Sequence, residues 1–299
     1  MRIDDASWHS STLRHLEQSS SRLFEFREQV ASGERVRRPS DDAAAYGRKL
    51  DRVVDLARSQ GFDQRLRQES ERMDAYDALL GDLSEFVRRA RGITQQASNA
   101  ATNAEALPGL AREVGHLLEG ALTRANSEHH GRYLLGGTRS DRRPFEAAGL
   151  GGQISQVTYQ GDRSFPALTL PDGRKLELNL HGEAVSAGGG PDLFATLIAL
   201  RGSLESGTVD ASTVLSQLAQ IEQNLLERRV EAGAASRYLT ELRRAAEDEV
   251  LSAQSLLADE TGVDLAESVT GMLAAETSHQ AILASSARST RLSLVDYLR

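Results

Sequence analysis

The sequence predicts a mainly α protein, with long antiparallel coiled-coil helices, a small antiparallel β domain in the middle, and terminal helices forming a coiled coil. Three observations predict it. An apolar seam in alternating steps of three and four residues runs through residues 211–256, and a second runs through residues 73–97. Helical periodicity then disappears between Gly136 and Gly190, where glycines cluster. Seams sustained that long keep one helix face against a partner, which is the coiled-coil condition.

In chain order, Leu13, Leu16, Leu23 and Val30 fit heptad spacing, with Ser20 and Arg27 as polar interruptions. This predicts a helix that stops near Ser32-Gly33, glycine being the usual C-terminal stop. Arg38 precedes Pro39, which disfavours an α conformation before it. Ser40 is then expected to cap a new helix, with Asp41 and Asp42 in the first turn at the positive end of the macrodipole. Met73, Tyr76, Leu80, Leu83, Val87, Ala90, Thr94 and Ala97 form the next seam. Pro108 suits the first turn of a third helix carrying Leu110, Val114, Leu117 and Ala121 on one face.

In the middle, QISQVTYQ at 153–160 reads as a strand through Ile154, Val157 and Tyr159. PALTL at 166–170 and KLELNL at 175–180 alternate apolar and polar around a Pro171-Asp172-Gly173 turn. Helix resumes near Asp192 with Leu193, Leu197 and Leu200. The long seam follows: Ala211, Val214, Leu218, Ile221, Leu225, Ala232, Ala235, Leu239, Leu242, Ala246, Ala253 and Leu256, broken by Arg228 and Glu249. No proline interrupts it, and its natural antiparallel partner is the 73–97 seam. Gly262 closes that helix and Asp264 starts another, with Glu267 three residues on in a capping-box arrangement. The last helix is expected to bury Leu265, Val269, Met272, Leu273, Ile282 and Leu283, and the chain ends on Leu292, Leu294, Val295, Tyr297 and Leu298. The implied organisation is an N-terminal assembly helix (1–40), the first half of a rod (41–136), a β-rich domain (137–190), the second half of the rod (191–260) and a C-terminal assembly helix (261–299).

Composition narrows the function classes. A net charge of −8 argues against nucleic acid, which needs a basic face to displace counterions. The absence of cysteine excludes disulfides, thiolate nucleophiles and Cys-ligated metals. No apolar run is long enough to span a bilayer, and MRIDDASWHSSTLRH lacks the layout of a cleavable signal peptide. Aromatics at 5% are thin material for a large round core, which favours an elongated body.

Histidine offers the one opening for metal chemistry. Glu113-x-x-His116 and Glu276-x-x-His279 have the spacing that di-metal carboxylate bundles use, which would make this a ferritin-like oxidase. Against it, so short a pattern recurs by chance, His116 falls off the Leu110–Val114–Leu117 face, and the seams supply no inward carboxylate beyond Glu249. His129-His130 read as solvated residues near a helix end; adjacent on a helix, they would point apart and could not share a metal. Gly136-Gly137 and the glycines at 188–190 lack the context of a phosphate cradle and read as hinges. Arg37-Arg38 read as solvated. No catalytic residue, metal or cofactor is therefore expected. The terminal helices lie beyond the rods, which favours assembly over a soluble coiled-coil adaptor.

Four segments carry a resemblance to a known family: SGERVRRPSDDAA at 32–44, GRYLLGGT at 131–138, VTYQGD at 157–162, and the C-terminus from Asp264-Leu265-Ala266-Glu267 through Ala287-Arg288 to the 292–298 ending. Together they resemble the bacterial flagellar hook-associated protein 3 family, the flagellin-like subunit of the hook–filament junction. Flagellin is similar too. Arg38-Pro39-Ser40 and the LSLVDYL ending favour the junction family, whereas Ala43 departs from it and is the flagellin form. The resemblance implies export through the flagellar type III channel without a cleaved signal, an extracellular place in the flagellum, and terminal segments that order in a tubular wall. It implies as partners hook-associated protein 1, flagellin, copies of the chain in a ring, and an export chaperone and apparatus. The interface is expected at Leu13, Leu16, Leu23, Val30, Leu265, Val269, Met272, Leu283, Leu294 and Leu298, with Arg38, Pro39, Ser40, Asp41 and Asp42 as the family motif.

Overall fold

The computed structural model describes residues 2–99, 105–150, 153–162, 164, 166–178, 182, 185 and 190–297. Its helices are α1 (Arg2–Ser32), α2 (Ala43–Asn99), α3 (Leu107–Ala125), α4 (Leu193–Ser206), α5 (Ala211–Thr261) and α6 (Leu265–Tyr297). Its strands are β1 (Glu128–His129), β2 (Arg132–Tyr133), β3 (Phe145–Leu150), β4 (Gln153–Tyr159), β5 (Ala167–Thr169) and β6 (Lys175–Glu177). The chain divides into two compact units, Met1–Phe62 with Ala246–Arg299, and Asp63–Ala245.

The second unit is organised on α2 and α5. Every residue of the 73–97 seam is buried, from Met73 and Tyr76 through Leu80, Leu83, Val87 and Ala90 to Thr94 and Ala97. On α5 the buried counterparts are Val214, Leu218, Ile221, Leu225, Ala232 and Leu239. Polar links beside the seam fix the direction. Asp74 accepts from Ser236 at 3.0 Å, Asp77 holds Arg229 at 3.0 and 3.2 Å, and Arg91 pairs with Glu222. As residue numbers rise on α2 they fall on α5, so the pair is antiparallel. Arg228, the polar break in the seam, stays half-buried by turning its guanidinium to Glu231 at 2.9 Å. Long basic side chains bury their stems in this way.

A second layer in this unit is the α3–α4 pair. Leu110, Val114, Leu117 and Ala121 are buried, as the face predicts, with Leu107, Ala111, Leu118 and Ala125 beside them. The Asp192 carboxylate caps α4 by accepting from the Ala195 N–H at 2.8 Å, and Gly207 ends the helix at φ 71°. Both choices are expected at these positions.

Among the described residues the strands form three separate antiparallel pairs, β1–β2, β3–β4 and β5–β6, and not one sheet. β4, β5 and β6 lie where alternation placed them. The β5–β6 turn closes through Leu170 N–H to the Arg174 carbonyl and Gly173 N–H to the Leu170 carbonyl, with Gly173 at φ 83°. The end of KLELNL, residues 179–180, lies outside the described residues. β1, β2 and β3 were not anticipated, and strand structure begins at Glu128, ahead of residue 137. α3 ends because the Asn126 side chain bonds both the N–H and the carbonyl of Phe145, at 3.0 and 2.9 Å, and so draws β3 to the helix end. Phe145 then stacks at 5.1 Å from both Tyr159 and Phe194.

In the first unit the long seam thins. Ala246 and Ala253 are buried, but Glu249 is exposed and Leu256 is 45% exposed. The α2 residues of this unit leave Leu50, Val53 and Val54 in solvent as well. The expectation of a continuous buried seam to Leu256 is therefore corrected: these apolar residues are only partly covered within one chain.

The contrast sets an expectation for denaturation. Leu83→Ala, at a fully buried position, should cost about 2–5 kcal/mol in urea unfolding. Leu256→Ala should change stability by less than about 1 kcal/mol. Equal losses at the two sites would contradict the division of the seam.

Candidate assembly interface

In the first unit α1 packs along α6. The inner face of α1 carries Ser19 and Leu23, both buried, with Leu16, Phe26 and Val30 half-buried beside them. The inner face of α6 carries buried Ser268 and half-buried Gly271, Met272, Ala275 and Ile282. Phe26 lies against Gly271, where an added Cβ would meet the ring at 2.6 Å. Small residues thus let the helices approach but contribute little apolar area. An open, largely polar groove runs between the two helices past Ser11, His15, Ser278 and Ser285.

The residues expected at the interface divide between two faces. Leu16, Leu23, Val30 and Met272 turn toward the α1–α6 contact. Leu13 is 62% exposed, Leu265 55%, Val269 37% and Leu283 45%, and Phe24 and Leu273 stay in solvent with them. The expectation that α6 buries Leu265, Val269, Leu273 and Leu283 is corrected: α1 covers one side of α6, and these residues lie on the other. Of the remaining two, the Leu294 side chain and residue 298 lie outside what the structure describes.

The connection between α1 and α2 gives the 32–44 motif a physical role. α1 stops at Ser32, and Gly33 takes φ 70°. The strand-like step that follows joins the α5–α6 junction: Arg35 N–H donates to the Thr261 carbonyl at 2.7 Å, and Val263 N–H to the Gly33 carbonyl at 3.1 Å. Lys49 reinforces it through Glu34 at 2.8 Å, and Arg48 through Glu260. Next, Arg37 and Arg38 donate their N–H groups to the Asp41 carboxylate at 3.0 and 2.9 Å, while Asp41 N–H returns to the Arg38 carbonyl. Those two donors hold the Asp41 carboxyl below its ordinary value. Asp42, not Ser40, is the N-cap, accepting from Ala44 and Ala45 at 3.0 and 2.9 Å. Pro39 and Ser40 are spent in the turn, so the helix starts later than expected, at Ala43. Arg37 and Arg38 also face Glu28 at 3.1 and 3.6 Å. At the far junction Asp264 caps α6 as predicted, accepting from Ala266 and Glu267.

In the second unit GRYLLGGT and VTYQGD meet. Gly137 takes φ 66°, which lets its backbone come against Asp162. The Asp162 carboxylate accepts from the Thr138 N–H at 2.8 Å, from the Thr138 hydroxyl, and from the Ser164 N–H at 3.3 Å. Burial works to raise its pKa, but these bonds and the nearby Arg139 outweigh it and hold it below the ordinary 3.8. The Tyr159 hydroxyl adds contacts to the Leu135 carbonyl at 2.9 Å and the Gly182 N–H at 3.1 Å. Gly136-Gly137 is therefore a built turn and not a hinge. The glycines at 188–189 lie outside the described residues.

The di-metal pattern does not converge where it was sought. Glu113 is exposed, and His116 is 82% exposed on α3, 3.8 Å from Glu119. Glu276 on α6 faces Arg27 at 4.0 Å. His129-His130 are not on a helix: they occupy the β1–β2 hairpin, with His130 at φ 49° and Gly131 at φ 73°. No described helix is long and apolar enough to cross a membrane.

This arrangement can be set beside known proteins. Residues 3–140 match the bacterial flagellin N-terminal helical region. The chain is 24% identical over 310 aligned residues to the flagellar hook-associated protein 3 of Escherichia coli strain K12, covering 94% of each. The chain is thus similar to flagellar hook-associated protein 3 over most of its length, and to flagellin in its N-terminal part. A second relative, the flagellar hook-associated protein 3 of Salmonella typhimurium, is 22% identical over 284 residues, covering 88% of this chain and 89% of the relative. The fold is that of the flagellar junction protein FlgL from Legionella pneumophila, at a TM-score of 0.53 and 14% identity, covering 64% of this chain and 98% of that one.

The Asp162 knot carries a pH signature. Because its folded pKa is depressed, its stabilisation is present above the ordinary 3.8 and is lost as pH falls through the lower folded value. Asp162→Asn should destabilise the chain by about 1–2 kcal/mol near neutral pH, and the gap from the parent should close on acidification below 3.8. Urea titrations at a series of pH values read this; a gap that widens in acid would refute it.

Proposed function

We propose that this chain is a non-catalytic structural subunit of the bacterial flagellum at the hook–filament junction, adapting the hook to the flagellin filament through its terminal helices. The observation that carries this reading is the likeness to hook-associated protein 3 over 94% of the chain. Its partners are then hook-associated protein 1 on one side, flagellin on the other and copies of itself around the ring. An export chaperone and the type III apparatus carry it to an extracellular position.

The geometry supplies a mechanism. The α1–α6 pair rests on small residues, and Leu13, Phe24, Leu265, Val269, Leu273 and Leu283 remain uncovered in one chain. Helices that leave an apolar side open in one chain gain stability when neighbours bury it. Ordering and assembly are thereby coupled, which keeps subunits apart before export and locks them afterward. A flagellin filament subunit is the second reading, favoured by Ala43 and by the flagellin N-terminal match.

Two experiments test this. Cells lacking the protein should make hooks and shed flagellin into the medium; cells that make no flagellin at all would favour the filament subunit, and normal filaments would sink both readings. Leu13→Asp with Leu283→Asp should leave urea unfolding of the isolated chain within about 0.5 kcal/mol of the parent. The same pair of changes should abolish filaments, and unaffected motility would count against these helices as the assembly surface.

A further inference from the structure

The β1–β2 hairpin holds a cluster of ligand-type side chains away from the terminal helices. Glu71 on α2 and His129 and His130 on the hairpin each present one ligand atom, and the three atoms lie within 4.8 Å of one another. Glu71 Oε2 and His130 Nε2 are 3.4 Å apart. The two imidazoles converge because His130 and Gly131 both take positive φ in the hairpin turn, at 49° and 73°. Their ring centroids are 4.2 Å apart, close to edge-on. A non-glycine residue at positive φ is uncommon and is held only where surrounding structure fixes it.

A second observation points to a ligand. His129 Nε2 is buried and has no hydrogen-bond partner. Buried ring nitrogens are ordinarily paired, so an unpaired one beside a carboxylate and a second imidazole lacks a partner that a metal ion, taking its lone pair, would supply. The neighbouring charge is partly accounted for. Arg72, next to Glu71 on α2, faces Glu69 at 3.7 Å. Arg132 is the register partner of His129 and brings positive charge to the hairpin, which weakens cation binding without blocking the ligands.

We propose that Glu71, His129 and His130 form a surface site for a divalent transition-metal ion, zinc first among them, that clamps the β1–β2 hairpin to α2. Two imidazoles and one carboxylate suit zinc and disfavour magnesium or calcium, which take oxygen ligands. In a tetrahedral site with bonds of about 2.0–2.1 Å, ligand atoms sit roughly 3.3 Å apart. The Glu71–His130 pair, at 3.4 Å, already has that spacing, and the His129 ligand atom lies within 4.8 Å of both. Three protein ligands leave the fourth position for water. The clamp would join segments 59 residues apart in sequence and fix the start of GRYLLGGT against the helical spine.

The test uses the full chain, stripped with EDTA and titrated with zinc chloride by calorimetry and by thermal unfolding. One zinc per chain and a rise in Tm are expected, since a ligand that binds the folded state stabilises it. The primary variant is Glu71→Gln with His130→Asn, because both side chains are exposed and the circular dichroism spectrum should be unchanged. It should weaken zinc binding by about tenfold or more. His116→Asn, on the solvent face of α3, should bind as the parent does. Absence of zinc binding by the parent up to about 100 μM would overturn the proposal. Undiminished binding by the Glu71→Gln, His130→Asn variant, or loss of binding with His116→Asn, would overturn it equally.

Discussion

The antiparallel contact of α2 with α5 in the second unit is the constraint on which that unit depends. Between Met73 and Ala97 on one helix and Val214 and Leu239 on the other, the facing residues are leucines, alanines and a few larger side chains, nearly all removed from water. Hydrophobic burial is the dominant favourable term in folding and scales with the area removed. With few aromatics available, the chain obtains that area by extending a narrow seam and not by widening a core. The pairs Asp74–Ser236, Asp77–Arg229 and Arg91–Glu222 lie beside the seam and add direction more than energy, since partly exposed charges are screened. The α3–α4 layer and the strand pairs complete a unit whose largest buried side chains include Tyr76, Phe145 and Phe194.

The first unit uses the same kind of helix under a different condition. Ser19, Ser268, Gly271 and Ala275 bring α1 and α6 together without much apolar area, and leucines and valines are left facing outward. For a monomer this would be poor economy. Under the proposed role as an assembling subunit it is consistent, since the side of α6 away from α1 is left for a neighbour to cover.

Aspartate performs a recurring task in both units. Asp41, Asp42, Asp192, Asp210 and Asp264 accept backbone N–H bonds at turns and helix starts, and Asp162 does so at the meeting of two loops. Each satisfies donors that no helix or ladder partner would otherwise take. The segments that carry the resemblance to hook-associated protein 3 are thus mostly places where the backbone changes direction, and their residues are fixed by hydrogen-bond geometry and φ. They are not gathered into one chemical site.

The helical class, the 73–97 seam and the part of the long seam in the second unit, the Gly33 stop, the Asp264 cap and the Pro171-Gly173 turn were legible in the sequence, because each depends on spacing or on one residue's backbone preference. Tertiary structure decided the rest. FEAAGL has weak strand character of its own, and Phe145 became strand because the Asn126 amide and the Phe194 and Tyr159 rings hold it there. Ser40 looked like a cap until the turn at Pro39 passed that role to Asp42. Leu13 and Leu23 share a heptad pattern, yet only the position of α6 separates the one left in solvent from the one covered. His129 and His130 looked unable to cooperate on a helix; a two-residue turn with positive φ brought them together beside Glu71, and no local spacing could have announced a partner 59 residues away. The sequence by itself determined periodicity, which is local. The tertiary structure alone decided which side of each period is covered, because coverage depends on residues distant in the chain.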